Sequence, residues 1–260
     1  MSHRWHLAFH SGFSANSDLR AAVDAGVPIG VVAPLLSLAK VMLTLPRFLD
    51  ASGHVFIDSG AFTAYQQKRE VDWERVFGKY ESVISMTVRP QGLSIVAPDV
   101  IGDQNGTLKL WEHYAHRVKH WIASGARVIV PLQRGCLSAG EMLERAKAIF
   151  GTDRFCCGIP SNLEAMGIED MHTLIGHHDF HILGRVIVTS ELSAKLQALK
   201  LGNPGAIMTA DANWLRSRTR QIGVAVNALL PDKTTPIPDS RRTRAVRSIL
   251  QLEAYDSLLA

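Results

Sequence analysis

Three aspartates stand directly after short apolar runs: Asp58 after Val55-Phe56-Ile57, Asp99 after Leu93–Pro98, and Asp211 after Ala206–Ala210. Carboxylates that converge on one point suit chemistry at a glycosidic carbon. One attacks or stabilises an oxocarbenium-like centre while another handles a proton. Near the ends of the same and other apolar runs stand Ser59, Gly60 and Phe62, then Gln133 and Gly135, Gly158 and Ile159, and His181. Gln133 and the backbones of Gly135 and Gly158 suit recognition of a flat, hydrogen-bonding base. Any single aspartate here also fits a helix N-cap or a turn former. The recurrence at three run ends, with matching neighbours, is what favours chemistry.

These residues can meet only if the apolar runs are neighbouring strands. The runs are His6–Phe9, Ile29–Ala33, Val55–Ile57, Leu93–Ala97, Arg127–Pro131, Phe155–Gly158, Phe180–Leu183 and Ala206–Thr209. Most carry β-branched or aromatic residues on both faces, as strands of a parallel sheet covered on both sides do. Between them, Trp73–Val88, Thr107–Ala123, Ala139–Phe150 and Glu191–Leu201 show helical spacing of apolar residues. Asp72 and Ser138 stand at N-cap positions, and Gly125 and Gly202 where helices should stop. Strand and helix alternating eight times predict an α/β fold, a (β/α)8 TIM barrel over residues 1–230. A proline-containing loop from Pro231 and a basic helix from about Ser240 to Leu259 follow as a second segment, 231–260. A doubly wound open sheet is the alternative, but His10-Ser11-Gly12-Phe13 is no dinucleotide-binding glycine fingerprint. In a barrel, the strand C-termini carry the chemistry.

The composition sets the outer limits. The chain has 260 residues, 47% of them hydrophobic and 20% charged, which excludes disordered and collagen-like classes. Cys136, Cys156 and Cys157 are too few for a disulfide scaffold and predict reduced thiols in the cytoplasm. They also lack metal-ligand spacing, so no metal is expected. A net charge of +4 permits a nucleic-acid partner. The first residues contain no apolar signal core. Val27–Pro46 is apolar, but Pro28, Gly30, Pro34, Lys40 and Pro46 interrupt it, which predicts a strand and an amphipathic helix rather than a membrane span.

In order, the segments DSGAF (58–62), PDVIGD (98–103), LQRG (132–135), CGIP (157–160), ILG (182–184) and Asp211 resemble the tRNA-guanine transglycosylase superfamily. The DSGAF and PDVIGD pair is closest to its DNA 7-deazaguanine transglycosylase branch. The likeness spans roughly residues 56–220, motif by motif. The resemblance implies a pentosyltransferase that exchanges guanine in nucleic acid for a 7-deazaguanine base of the preQ0 type or a relative. It implies Asp211 as the nucleophile on C1′ and Asp58 as general acid/base. It further implies Asp99, Gln133 and Gly135 as contacts to the heterocycle, and the Gly158–Ile159 backbone near the 7-substituent. Phe62, Tyr65 and Trp214 are candidates for stacking on the base, with Ser59 and Gly60 beside Phe62 and His181 close to the site.

Two features depart from the tRNA enzymes. Their cysteine-histidine zinc site has no counterpart, since no cysteine follows Cys157, and Pro160-Ser161-Asn162 replaces the usual small and acidic residues. The first points toward DNA rather than tRNA, with no cofactor. Arg216, Arg218 and Arg220, after Asp211, are expected to contact phosphate. Arg241, Arg242, Arg244 and Arg247 form a second basic group. A DNA-modification role would bring partner proteins of such a system, in the cytoplasm. The alternatives are an exchange or hydrolysis reaction on free nucleosides or nucleotides, and a non-catalytic paralogue.

Overall fold

The computed structural model describes residues 5–13, 16–184 and 188–212. Trp214, Arg216, Arg218, Arg220, the loop from Pro231 and the expected C-terminal helix lie outside the described residues. Eight parallel strands close in chain order: β1 (Leu7–His10), β2 (Ile29–Val32), β3 (Val55–Asp58), β4 (Leu93–Val96), β5 (Arg127–Pro131), β6 (Cys156–Pro160), β7 (Asp179–Leu183) and β8 (Ile207–Ala212). The helices around them are α1 (Asn16–Ala25), α2 (Leu45–Asp50), α3 (Ala61–Gln66), α4 (Trp73–Met86), α5 (Gln104–Ala123), α6 (Ala139–Phe150), α7 (Ile168–Thr173) and α8 (Ser190–Gly202). This is a (β/α)8 barrel of the α/β class. The eight apolar runs are its strands, with ends shifted by at most three residues. One shift matters. Strand β8 continues to Ala212 because it pairs with β1 through Phe9↔Asp211 and His10↔Ala212, so Asp211 is held within the sheet.

Local chemistry explains the helix ends. Asp72 accepts the Arg75 N–H at the start of α4, and Ser138 forms a reciprocal capping box with Glu141 at α6. Helix α5 begins three residues before its apolar pattern does, because the Asp103 side chain accepts the Gly106 N–H and caps a polar first turn. The segment 27–46 forms β2, a 3-10 turn and a π-helical turn at Lys40–Thr44 leading into α2. Among the described residues no helix is long and apolar enough to cross a membrane.

Two apolar layers follow from the period-2 alternation of strand side chains. Phe9, Phe56, Val96, Ile129 and Cys156 pack inside the barrel, with Leu7 and Leu183 against them. Residues of the opposite parity, among them Ile57, Ile95, Val128, Val130 and Ile182, pack outward beneath the helices against Phe77, Tyr80, Trp111 and Leu196. The same parity turns Asp58, two residues beyond Phe56, into the barrel mouth. Outside, Arg117 of α5 staples α4 by bonding Glu74 and Glu81 at 2.7 Å.

Candidate active site

Each carboxylate is delivered by a strand end. Asp58 closes β3, and one of its oxygens accepts the Gly60 N–H at 2.6 Å. That tight turn needs Gly60, whose φ is +83° and whose missing Cβ would lie 3.0 Å from Pro34. Ser59 is buried and its hydroxyl accepts the Ala61 N–H, opening α3. Asp99 lies just beyond β4 and is released from capping duty because Asp103 caps α5. Instead, the Gln133 side-chain N–H donates to it at 2.9 Å, while Oε1 of the same amide accepts the Gly102 N–H at 2.9 Å. Asp211, in β8, faces the imidazole of His181 across 3.6 Å. His181 is fully buried between the rings of Phe9 and Phe56, whose centroids lie 6.1 and 5.0 Å away.

Electrostatics binds the three aspartates into one group. Burial pushes the Asp58 carboxyl up to about 6, against the pull of the Gly60 N–H and with a further push from Asp211. Burial raises Asp99 to about 7, with repulsion from Asp58 added and the Gln133 bond opposing. Asp211 is raised to about 8 by burial, with its own and Gly184 backbone N–H groups pulling it back. Asp58 thus feels Asp211, and Asp99 feels Asp58, as carboxylates around one mouth must. Burial holds the His181 imidazole well below its ordinary range, so it is neutral at pH 7. Such a cluster of displaced titrations in a barrel mouth is a candidate for acid–base and nucleophilic work.

The other expected residues take more particular places. The Gln133 side chain gives one N–H to Asp99 and accepts the Gly102 N–H, which orients Asp99 and leaves a second N–H and a second lone pair on the amide. Gly135 lies exposed in the β5–α6 loop, and a Cβ there would meet the Gln104 side chain at 2.5 Å. Gly158 lies inside the barrel, where a Cβ would press on Leu183, Ile129 and Pro131. The Ile159 side chain is buried outward in the helix layer, leaving only its backbone for a ligand. Phe62 and Tyr65 project from α3 beside the Asp58 turn, 57% and 59% exposed. Among the described residues, no group of three histidines, cysteines, aspartates or glutamates is placed to hold a metal ion. Two cavities of about 530 and 260 Å³ lie away from the carboxylates, one outside between α6 and α7, the other at the strand N-termini beside Arg127 and Asp179.

Five supporting residues escaped the sequence reading. Tyr80, on the apolar face of α4, is fully buried, and its hydroxyl lies close enough to Asp58 and Asp99 to feel both charges. Gln104 ties the β5–α6 loop together, donating to the Gln133 and Leu137 carbonyls and accepting the Leu137 N–H. Lys195 is fully buried in α8 and donates to the Pro160, Asn162 and Met166 carbonyls at 2.5, 3.4 and 2.8 Å. Arg127 and Thr209 link to His181 inside the barrel. Only Lys195 carried a signal: a lysine among Leu192, Leu196 and Leu199 sits on the buried stripe of its helix.

No known family model and no curated protein sequence matches the chain. Solved structures resemble it in fold. A proposed fructose-1,6-biphosphate aldolase from Coccidioides immitis superposes with a TM-score of 0.53 at 13% identity, covering 96% of this chain and 88% of that one. A 2,3-dimethylmalate lyase of the PEP mutase/isocitrate lyase superfamily gives 0.50 at 12% identity, covering 98% and 94%. At such identities the likeness establishes the barrel, and the function has to be argued from the site.

Proposed function

We propose that this protein is a base-exchanging pentosyltransferase, replacing guanine with a 7-deazaguanine at a glycosidic bond. Nucleic acid is the carrier, DNA in preference to tRNA. The observation that carries this reading is the convergence of Asp58, Asp99 and Asp211 on one barrel mouth, with Gln133 bonded to Asp99 and His181 set against Asp211.

The chemistry runs in two halves. An oxygen of Asp211 forms a bond to C1′ as the bond from C1′ to the guanine nitrogen breaks. The electron pair leaves with the base, and Asp58 supplies the proton that neutralises it. The incoming base then returns its proton to Asp58 and attacks C1′, releasing Asp211. A fixed carboxylate beside C1′ stabilises the cationic carbon most strongly at the transition state. Asp99, oriented by Gln133, hydrogen-bonds the polar edge of the base, and Phe62 at the rim stacks on its face.

The test is exchange of labelled guanine into guanine-containing DNA, RNA and free nucleosides, with denaturing-gel detection of a protein–substrate adduct. Wild type should incorporate the label and form the adduct. Asp211→Asn should bind the base and do neither, whereas full activity in that variant removes the nucleophile and the transglycosylase reading with it. A second reading, exchange or hydrolysis on free nucleosides or nucleotides, is favoured by the depth of the site. The Asp211 side chain is only 15% exposed, so a polymer must extrude its nucleotide to reach it, whereas a free nucleoside enters directly. Turnover confined to the nucleoside arm would select that reading.

A further inference from the structure

A chain of polar groups, partly exposed at Arg127 and Asp179 and buried at Thr209 and His181, runs up the barrel interior beneath Asp211. At its base, Arg127 of β5 is fixed by Asp179 of β7, with both carboxylate oxygens accepting from the guanidinium at 2.7 Å. The same guanidinium donates to the Thr209 hydroxyl of β8 at 2.8 Å and to the Cys156 sulfur at 3.0 Å. That hydroxyl lies 2.7 Å from Nδ1 of His181 and 3.2 Å from the Phe180 carbonyl. On its far side, Nε2 of His181 faces Oδ1 of Asp211 at 3.6 Å, and among the described residues neither of these two buried atoms has a hydrogen-bond partner. Apart from these groups, His181 is enclosed by the rings of Phe9 and Phe56.

Proton bookkeeping settles the direction of this chain. A guanidinium only donates, so the Thr209 oxygen accepts from Arg127. The single hydroxyl proton then goes to one of two acceptors, and Nδ1 is the nearer by 0.5 Å, the difference between 3.2 and 2.7 Å. A histidine that accepts at Nδ1 carries its proton on Nε2, which is the atom facing Asp211. The opposite tautomer would set an imidazole lone pair against a carboxylate lone pair with no proton between them whenever Asp211 is ionised.

We propose that Arg127, Thr209 and His181 form a positioning relay that locks His181 as the Nε2–H tautomer and aims that donor at Asp211. The inference rests on Asp211 being the nucleophile. The donor occupies Oδ1, which leaves Oδ2 to attack C1′ and favours the ionised form of a carboxylate that burial otherwise protonates. The gap of 3.6 Å closes to a hydrogen bond when substrate excludes water from the mouth, as apo-state catalytic contacts commonly do. His181 is then a positioning residue for Asp211 rather than a contact to the base. Arg127 and Thr209 act through it.

The relay can be examined without substrate. Imidazole nitrogen NMR on the full chain, with the His181 signals assigned by their loss in His181→Gln, reports which ring nitrogen carries the proton. Wild type and Thr209→Ser, which keeps the hydroxyl, should show Nε2–H. Thr209→Val, close to isosteric, should give a mixture or the Nδ1–H form. In the exchange assay Thr209→Val should lose about a hundredfold in kcat with KM unchanged, and Thr209→Ser should recover most of it. An Nδ1–H or doubly protonated His181 in wild type overturns the proposal, as does a tautomer unmoved by a folded Thr209→Val. The predicted tautomers without any base exchange would uphold the relay and sink the transglycosylase reading instead, so the two failures are distinct.

Discussion

At the residue scale, the aspartates are kept against their solvation preference, and this gives a pH signature. Their folded-state values of about 6, 7 and 8 lie above the ordinary carboxylate value of 3.8. Between roughly pH 4 and 8 the folded protein therefore binds more protons than the unfolded chain, and stability falls as pH rises. Asp58→Asn, Asp99→Asn and Asp211→Asn should each raise Tm by several degrees at pH 8 and leave it nearly unchanged at pH 4, by differential scanning calorimetry. A variant that melts lower than wild type at pH 8 would show that its carboxylate is a structural anchor. For binding, Asp99→Ala should weaken 7-deazaguanine by about 1–3 kcal/mol, roughly 5- to 150-fold, since a polar edge of the base is left unpaired. Isothermal titration calorimetry reads this directly, and unchanged affinity would take Asp99 out of the base site. Turnover should follow a bell-shaped pH profile with limbs between about 6 and 8, and Asp58→Asn should remove one limb.

Among the elements, the loop after β6 depends on one buried cation. Lys195 donates to three carbonyls of residues 160–166, and burial brings its ammonium down to about 8. Lys195→Met keeps an unbranched side chain one atom shorter and removes the ammonium that donates to all three carbonyls. The unpaired carbonyls should cost about 1–3 kcal/mol, lowering the urea midpoint. The same variant should exchange amide hydrogens of residues 161–166 faster than wild type does, with α5 unchanged. Loop exchange unchanged from wild type would mean that the loop is held by other contacts. Strand β6 makes a sterically sharper prediction. In Gly158→Ala the new methyl lands 2.9 Å from Leu183 and 3.0 Å from Ile129, so the barrel interior is overpacked. The expected loss is about 1–3 kcal/mol in thermal or chemical melts.

For the whole molecule, the barrel puts the buried aspartates at one end, and the chain carries a net charge of +4. If DNA is the carrier, its affinity should fall steeply with salt as counterions are released, and free base should bind with little salt dependence. Fluorescence anisotropy across a salt series checks this. Salt-insensitive or absent DNA binding, alongside exchange on nucleosides, would favour the small-substrate reading.

Much of this architecture is legible along the chain. Alternating strand and helix periods, the caps at Asp72 and Ser138, and the aspartates after apolar runs are local properties, set by backbone sterics and side-chain pattern over a few residues. They specify a barrel and the end of it that carries Asp58, Asp99 and Asp211. What those side chains do to one another is decided only when strands far apart in sequence become neighbours. Closure of β8 on β1 draws Asp211 into the sheet, and packing of β7 beside it sets His181 against Asp211. Gln133 reads along the chain as a group for the base, and only tertiary contacts show that its amide also joins Asp99 to the Gly102 backbone. Arg127 and Thr209 look like incidental polar positions in apolar strands, because no local pattern shows that the barrel interior will stack them under a histidine. The physical reason is dielectric as well as geometric. Hydrogen-bond partnership and burial displace the titration of these groups, and both belong to the folded molecule rather than to the order of its residues.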